Sequence, residues 1–195
     1  MKPLTVADVL SIADYERIRS RLRPVFIMEK NRRRLALGEH LTFLFENGST
    51  LWYQIHEILR TEKIAERSAV EHEVETYNSI LPGPQELSAT LLIQYADPAE
   101  RDAALRKLIG LERHLWMVVG GQRHAARFDE GQISPEQISA VQFIRFPVGK
   151  IEAQEFLELA NAGKVAIELD HPKVQERGSI KGELASALAD DLREE

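Results

Sequence analysis

The stretch Glu86-Leu-Ser-Ala-Thr-Leu-Leu-Ile-Gln-Tyr95 alternates: Leu87, Ala89, Leu91, Ile93 and Tyr95 share one side, Ser88, Thr90 and Gln94 the other. A period of two marks a strand, because successive side chains of an extended chain point to opposite faces. Directly after it, Asp97-Pro-Ala-Glu100 supplies a cap, a proline at the first helical position and an early acid. That arrangement predicts a helix running to about Gly110.

Upstream, residues 34–37 and 41–45 are short strand-like runs separated by Gly38, Glu39 and His40, a spacing suited to a hairpin. Asn47-Gly48 follows, itself a hairpin signal that would turn residues 49–55 into a third strand. A helix fits better. Leu51, Ile55, Ile58, Leu59 and Glu62 recur at the spacing of one helical face, with Ser49 placed to cap the start. Ser68-Ala-Val-Glu71 reads as a capping box opening another helix, whose buried stripe is Val70, Val74, Tyr77 and Leu81 and which Pro82-Gly-Pro84 stops. The looser pattern Val6, Leu10, Ile18, Leu22 predicts one or two short helices over residues 5–22, ended or kinked by Pro24.

Downstream, Gly120-Gly121 suits a two-residue turn between strands 115–119 and 122–129. Ser134-Pro135 opens a short helical turn before strand 141–146. Helix 151–162 ends at Gly163 in a left-handed cap, and strand 165–169 is stopped at His171-Pro172. Ile180, Leu184, Leu188 and Leu192 predict a C-terminal amphipathic helix followed by acidic residues. The hairpin links predict an α+β fold. Residues 1–178 form a single domain with a mainly antiparallel sheet packed with helices, and 179–195 a helix and acidic tail able to dock on that domain or on a partner.

Hydrophobic residues are 44% and charged residues 29%, a balance that supports a packed core. The apolar runs are far short of the roughly 20 residues that span a bilayer. The N-terminus reaches Asp8 and Asp14 before any signal-peptide-like apolar region, so a cytoplasmic location is expected. Cysteine is absent, which excludes disulfides and thiolate chemistry; any redox role must be borrowed from a cofactor or partner. A net charge of -6 argues against nucleic-acid binding. No Gly-x-Ser-x-Gly elbow, phosphate loop or Gly-x-Gly-x-x-Gly pattern occurs.

Charge is unevenly spread. Arg17, Arg19, Arg21, Arg23, Lys30, Arg32, Arg33 and Arg34 face a single acid, Glu29, in the same stretch. Guanidinium groups grip carboxylates and phosphates through paired donors, which points to an anionic small molecule or an acidic partner at Lys30, Arg32, Arg33 and Arg34. Arg32 and Arg34 would share one strand face with Arg33 opposite. The competing reading is structural, the arginines pairing with acids such as Asp190, Asp191, Glu194 and Glu195. His72, Glu73 and Glu75 are ligand types for iron, manganese or zinc, and His56 with Glu57 would complete a site if the two helices lie antiparallel. Yet His72 points nearly opposite the Val70, Val74, Tyr77 stripe, which favours a solvated imidazole. His114 beside Trp116, and His124, are candidates for a pocket wall; His171 belongs to a turn.

Six segments resemble a bacterial family of unknown function, DUF3501. They are Leu41-Thr-Phe-Leu-Phe-Glu-Asn47, His72-Glu-Val-Glu-Thr-Tyr-Asn78, Leu81-Pro-Gly-Pro84, Leu87-Ser-Ala-Thr90, Gly110-Leu-Glu-Arg-His-Leu-Trp116 and Val141-Gln-Phe-Ile-Arg-Phe146. The likeness extends over about residues 4–147. It implies no catalytic residues. It does imply genes beside those of rubrerythrin-like proteins and iron-sulfur oxidoreductases, and so a supporting role in redox or peroxide metabolism. The first expectation is therefore an accessory or binding protein without catalysis of its own, a homo-oligomer that engages a redox protein or an acidic ligand. The alternatives are a metal-dependent enzyme with a helix-borne His/Glu site and a small anionic-ligand binding protein.

Overall fold

The structure is a computed structural model that describes residues 1–129, 131–134 and 136–193. Two antiparallel sheets enclose the main core. The first has the order β1 (Arg34–Leu37), β2 (Leu41–Glu46), β3 (Glu86–Ile93), β7 (Val141–Pro147), β6 (Arg127–Phe128). The second runs β5 (Gln122–Ala125), β4 (Leu115–Val119), β8 (Val165–His171), β9 (Val174–Ser179). Leu87, Ala89, Leu91 and Ile93 of β3 face Met117, Val165 and Ile167 of the other sheet within one apolar cluster. The fold is α+β, as the pattern of hairpins implies.

The polar side of β3 is not left to water. Ser88 and Thr90 are buried beside helix α2 (Gly48–Glu62) and helix α3 (Arg67–Asn78), where Leu51 of α2 and Ile80 and Leu81, just beyond the end of α3, pack with Phe143. Asn47 caps α2: its side-chain oxygen accepts from the Thr50 N–H at 2.9 Å while the Thr50 hydroxyl accepts from the Asn47 N–H. The cap expected at Ser49 therefore sits two residues earlier, and the third strand does not form. In α3 the box expected at Ser68 and Glu71 is replaced by Glu66, whose carboxylate accepts from the Ala69 N–H. Ser68 lies inside the helix and donates to Glu66, and Glu71 pairs with Arg67. A carboxylate at the helix start gains from the dipole as well as from the hydrogen bond.

The N-terminal segment departs most from expectation. A short 3-10 turn, Val6–Asp8, precedes one helix of 21 residues, α1 (Ile12–Arg32), which continues through Pro24. Proline removes the hydrogen bond to the carbonyl four residues earlier, but here that carbonyl belongs to exposed Ser20 and can be met by solvent. Because α1 ends at Arg32, Arg32 and Arg34 do not share a strand face; Arg33 is the cap between helix and strand.

The strand expected over residues 122–129 breaks at buried Ala126, whose N–H donates to Leu115, so that β5 and β6 belong to different sheets. After β3, helix α4 (Pro98–Lys107) begins at the Asp97 cap, and α5 (Ala153–Asn161) is followed by Gly163 at φ 73°. His171-Pro172 turns the chain rather than stopping it: β9 follows and pairs along β8. Pro135, and with it the turn read at Ser134-Pro135, lies outside the described residues. The last helix, α6 (Gly182–Asp191), packs on α5 and places Leu184, Leu188 and Leu192 in the main core. Glu194 and Glu195, named as partners for the arginines, also lie outside the described residues. No described helix is long and apolar enough to cross a membrane.

Candidate functional site

Helical geometry disperses the arginine run. At roughly 100° per residue, neighbours two apart point in different directions. Arg17 pairs with Asp14 on the exposed side at 3.0 Å. Arg32 closes on Glu29 at 2.5 Å. Arg33 is 1% exposed and bonds Glu29 through Nε at 2.5 Å and both oxygens of Asp191 at 2.6 and 2.8 Å. Asn47 donates to the same Asp191 carboxylate. This buried, bidentate clamp ties the end of α1 to α6, and the Arg33 guanidinium has no face left for a ligand. Burial works against the charge on Glu29, but hydrogen bonds from Arg32 and Arg33 outweigh it and hold the group below its ordinary value.

What remains faces a cleft. Arg19, Arg23, Ile27 and Lys30 recur at the spacing of one helical face and form one wall of a cavity of about 430 Å3. Tyr53, Gln54, Glu57, Ile58 and Thr61 of α2 form the second wall, and Tyr77 of α3 closes it. Arg19 is committed to Glu57, with contacts of 2.7 and 3.0 Å. Arg23 and Lys30 have no carboxylate within ion-pairing distance among the described residues. The Lys30 ammonium lies 5.4 Å from the centroid of Tyr53, against which Phe26 also stacks at 4.6 Å. Burial pushes Lys30 below its ordinary value, and the nearby Arg34 adds to the push against the opposing pull of Glu46 and Glu57. Burial likewise raises the Tyr53 and Tyr77 phenols. Under this floor Glu46 is buried and accepts from Thr50, Gln54 and Thr90.

The five residues considered for a metal do not assemble. His56 is buried between the rings of Tyr15 and Trp52, donates from Nδ1 to the Trp52 carbonyl at 2.7 Å and accepts at Nε2 from the Leu10 N–H at 2.9 Å. Both nitrogens are occupied, and burial lowers its pKa, so the imidazole is neutral. Glu57 accepts from Arg19 and from the Tyr15 hydroxyl; the Arg19 bond is the largest cause holding it down to about 2. His72 and Glu75 are exposed, because α3 turns Val74 towards Ile55 and Leu59. Glu73 is half-buried near Tyr77. Among the described residues no three potential ligands gather around a common point.

His114 and Trp116 lie on the outer face of the second sheet, where both bond Asp170 at 3.1 Å. Arg123 adds a 2.6 Å contact and covers the Trp116 ring at 4.4 Å. This open hollow of about 480 Å3 is charged but self-neutralising, since Arg123 and Arg177 both also meet Glu168. His124 is half-buried near Gly149 and joins neither group. The Arg23–Lys30 pair could have been found from the sequence by testing residues 19, 23, 27 and 30 against a helical period. Reading charge density along the chain instead selects Arg32, Arg33 and Arg34.

Two antiparallel sheets around one core, with a three-helix layer holding a cleft lined by Arg19, Arg23 and Lys30, define an α+β protein. The chain belongs to the DUF3501 family, a family of proteins of unknown function, whose model matches residues 3–192. The match extends beyond the six segments to include β8, β9 and all of α6. A protein of unknown function from Burkholderia pseudomallei K96243, solved by crystallography, is 33% identical over 98% of this chain and 100% of its own, with a TM-score of 0.87. No curated protein matches the chain.

Proposed function

We propose that this protein binds a small organic anion in the cleft between α1, α2 and α3. The observation that carries the reading is that Arg23 and the half-buried Lys30 line one cleft without a carboxylate partner, while Arg17, Arg32 and Arg33 of the same stretch are paired with carboxylates. A cation partly removed from water without a counterion is poised for an anionic ligand, and each charge-assisted hydrogen bond so formed contributes roughly 1.5–3 kcal/mol. Ile27 and Ile58 add apolar wall, which suits a carboxylate with a hydrocarbon portion better than an inorganic ion. In the redox and peroxide setting implied by the family resemblance, a cysteine-free chain of this kind acts as a cytoplasmic accessory that holds an anion for a redox protein.

Calorimetric titration with short-chain carboxylates tests the reading. Saturable binding that weakens with salt and is lost in the Arg23→Gln, Lys30→Gln double variant is expected. Equal binding by the double variant would overturn it.

Self-association is a second reading, favoured by Val25 and Met28, which are 60% and 72% exposed on the side of α1 opposite the cleft. Light scattering should show a wild-type oligomer that Val25→Glu with Met28→Glu dissociates; a wild-type monomer removes the reading.

A further inference from the structure

We propose that Lys30 captures a small oxo acid, bearing a ketone or aldehyde a few carbons from its carboxylate, as a covalent imine in the α1–α2–α3 cleft. This deepens the organic-anion reading and rests on it. Lys30 differs from every other lysine of the chain: all the rest are exposed, whereas Lys30 is half-buried, lies beside the Tyr53 ring and lines the 430 Å3 cleft. An amine attacks a carbonyl only when unprotonated, and burial is the classical route to that state for lysine. The charged groups that share the cleft with the ammonium or act on it are Arg19 and Arg23 on its own helix, Arg34 on β1, Glu46 on β2 and Glu57 on α2. Glu57 is already held by Arg19 and Glu46 by three neutral donors, so neither closes an ion pair with Lys30.

Arg23 lies two helical turns before Lys30 on the same face, roughly 10 Å of rise along the axis. The Arg23 side chain and a ligand with separated carbonyl and carboxylate span that gap together, the guanidinium taking the carboxylate and the amine the carbonyl. The Nζ lone pair forms a bond to the carbonyl carbon. The π electrons move to oxygen, which takes one proton from the attacking nitrogen and a second from solvent and leaves as water, and the nitrogen lone pair closes the protonated imine. Its positive charge replaces that of the ammonium, so the step adds no net charge to the cleft. Tyr53 and Tyr77, whose phenols stay protonated, line the same space and serve as hydrogen-bond donors.

Levulinate with cyanoborohydride tests the proposal, with valerate as the partner lacking a carbonyl. Peptide mass spectrometry should find the reduced adduct on Lys30 in clear excess over every exposed lysine, because the half-buried amine gives up its proton more readily. Lys30→Arg should abolish the adduct at that position while the exposed lysines keep their background labelling. If levulinate and valerate both bind but no adduct forms on Lys30, or if label spreads evenly over exposed lysines, the imine is overturned while the organic-anion reading stands. If neither acid binds, both fall.

Discussion

Arg33 and Lys30 are three residues apart at the end of α1, and their charges meet opposite fates. At the α1–α6 junction the guanidinium is buried and fully occupied by Glu29 and Asp191, so it holds the fold together. In the cleft the ammonium is half-buried and lacks a carboxylate, so the same helix presents charge without satisfying it. The difference follows from what packs opposite: α6 brings an acid to the junction, whereas α2 brings Tyr53 and a Glu57 that Arg19 has already taken. Local charge density is thus no guide to ligand binding until pairing is known.

The largest expected effect lies at the junction. Arg33→Met leaves the buried Asp191 carboxylate without its guanidinium, and Glu29 with Arg32 alone, and should destabilise the protein by about 3–5 kcal/mol. The double variant Arg33→Met, Asp191→Leu should recover much of that loss, because an apolar pair of similar volume carries no desolvation penalty. Urea denaturation measures both. A single variant as stable as wild type would erase the contrast between junction and cleft.

The cleft should behave in the reverse way. Arg23→Gln with Lys30→Gln should change stability by no more than about 1 kcal/mol, since neither residue closes an ion pair and only the Lys30 contact with the Tyr53 ring is lost. The same variant should weaken carboxylate binding by roughly tenfold to a hundredfold, the equivalent of about 1.5–3 kcal/mol. Thermal unfolding beside calorimetric titration separates the two quantities. A large loss of stability with retained binding would show the two regions to be alike.

Acid sharpens the comparison at the back of the cleft. Burial holds His56 below its ordinary 6.5, so the unfolded chain takes up that proton more readily; the contribution of neutral His56 is complete above 6.5 and declines as pH falls below it. Glu57, held at about 2 chiefly by Arg19, sits below its ordinary 4.5, so its contribution is complete above 4.5 and is lost as pH falls towards 2. Urea midpoints measured against pH should therefore fall in two stages. His56→Gln should flatten the first and Glu57→Gln the second. A profile unchanged by either substitution would remove the polar wall from the account of the cleft.

Much of the architecture was legible because it rests on local patterns. The alternation in β3, the helical spacing from Leu51 to Glu62 and the Gly120-Gly121 turn each fix an element without reference to the rest of the chain. The strand β9 was not legible: Val174-Gln-Glu-Arg-Gly-Ser179 carries one large apolar residue, because an edge strand needs only a partner backbone. Helix α1 was hidden by Pro24, whose missing hydrogen bond falls on the solvent side. For the site, Lys30 was among the expected anion-binding residues, but Arg23 was not, and Arg32 and Arg33 were given a role that pairing removes. Asp191, which decides the fate of Arg33, lies 158 residues away in sequence. No local pattern reports such a distance.

The outer face of the second sheet gives the smallest expected effect and the strictest control. Its hollow is as large as the cleft and carries as much charge, yet Arg123 meets Asp170 and Glu168 there, and Asp170 is held at about 2, first by its Arg123 bond. These pairs are exposed and screened by solvent, so Arg123→Gln should cost no more than about 1 kcal/mol. It should leave carboxylate affinity untouched, because cation and anion already cancel on that face before any ligand arrives. If Arg123→Gln instead weakened carboxylate binding as much as the cleft variant, net local charge rather than an unpaired cation would govern binding, and the cleft would lose its distinction.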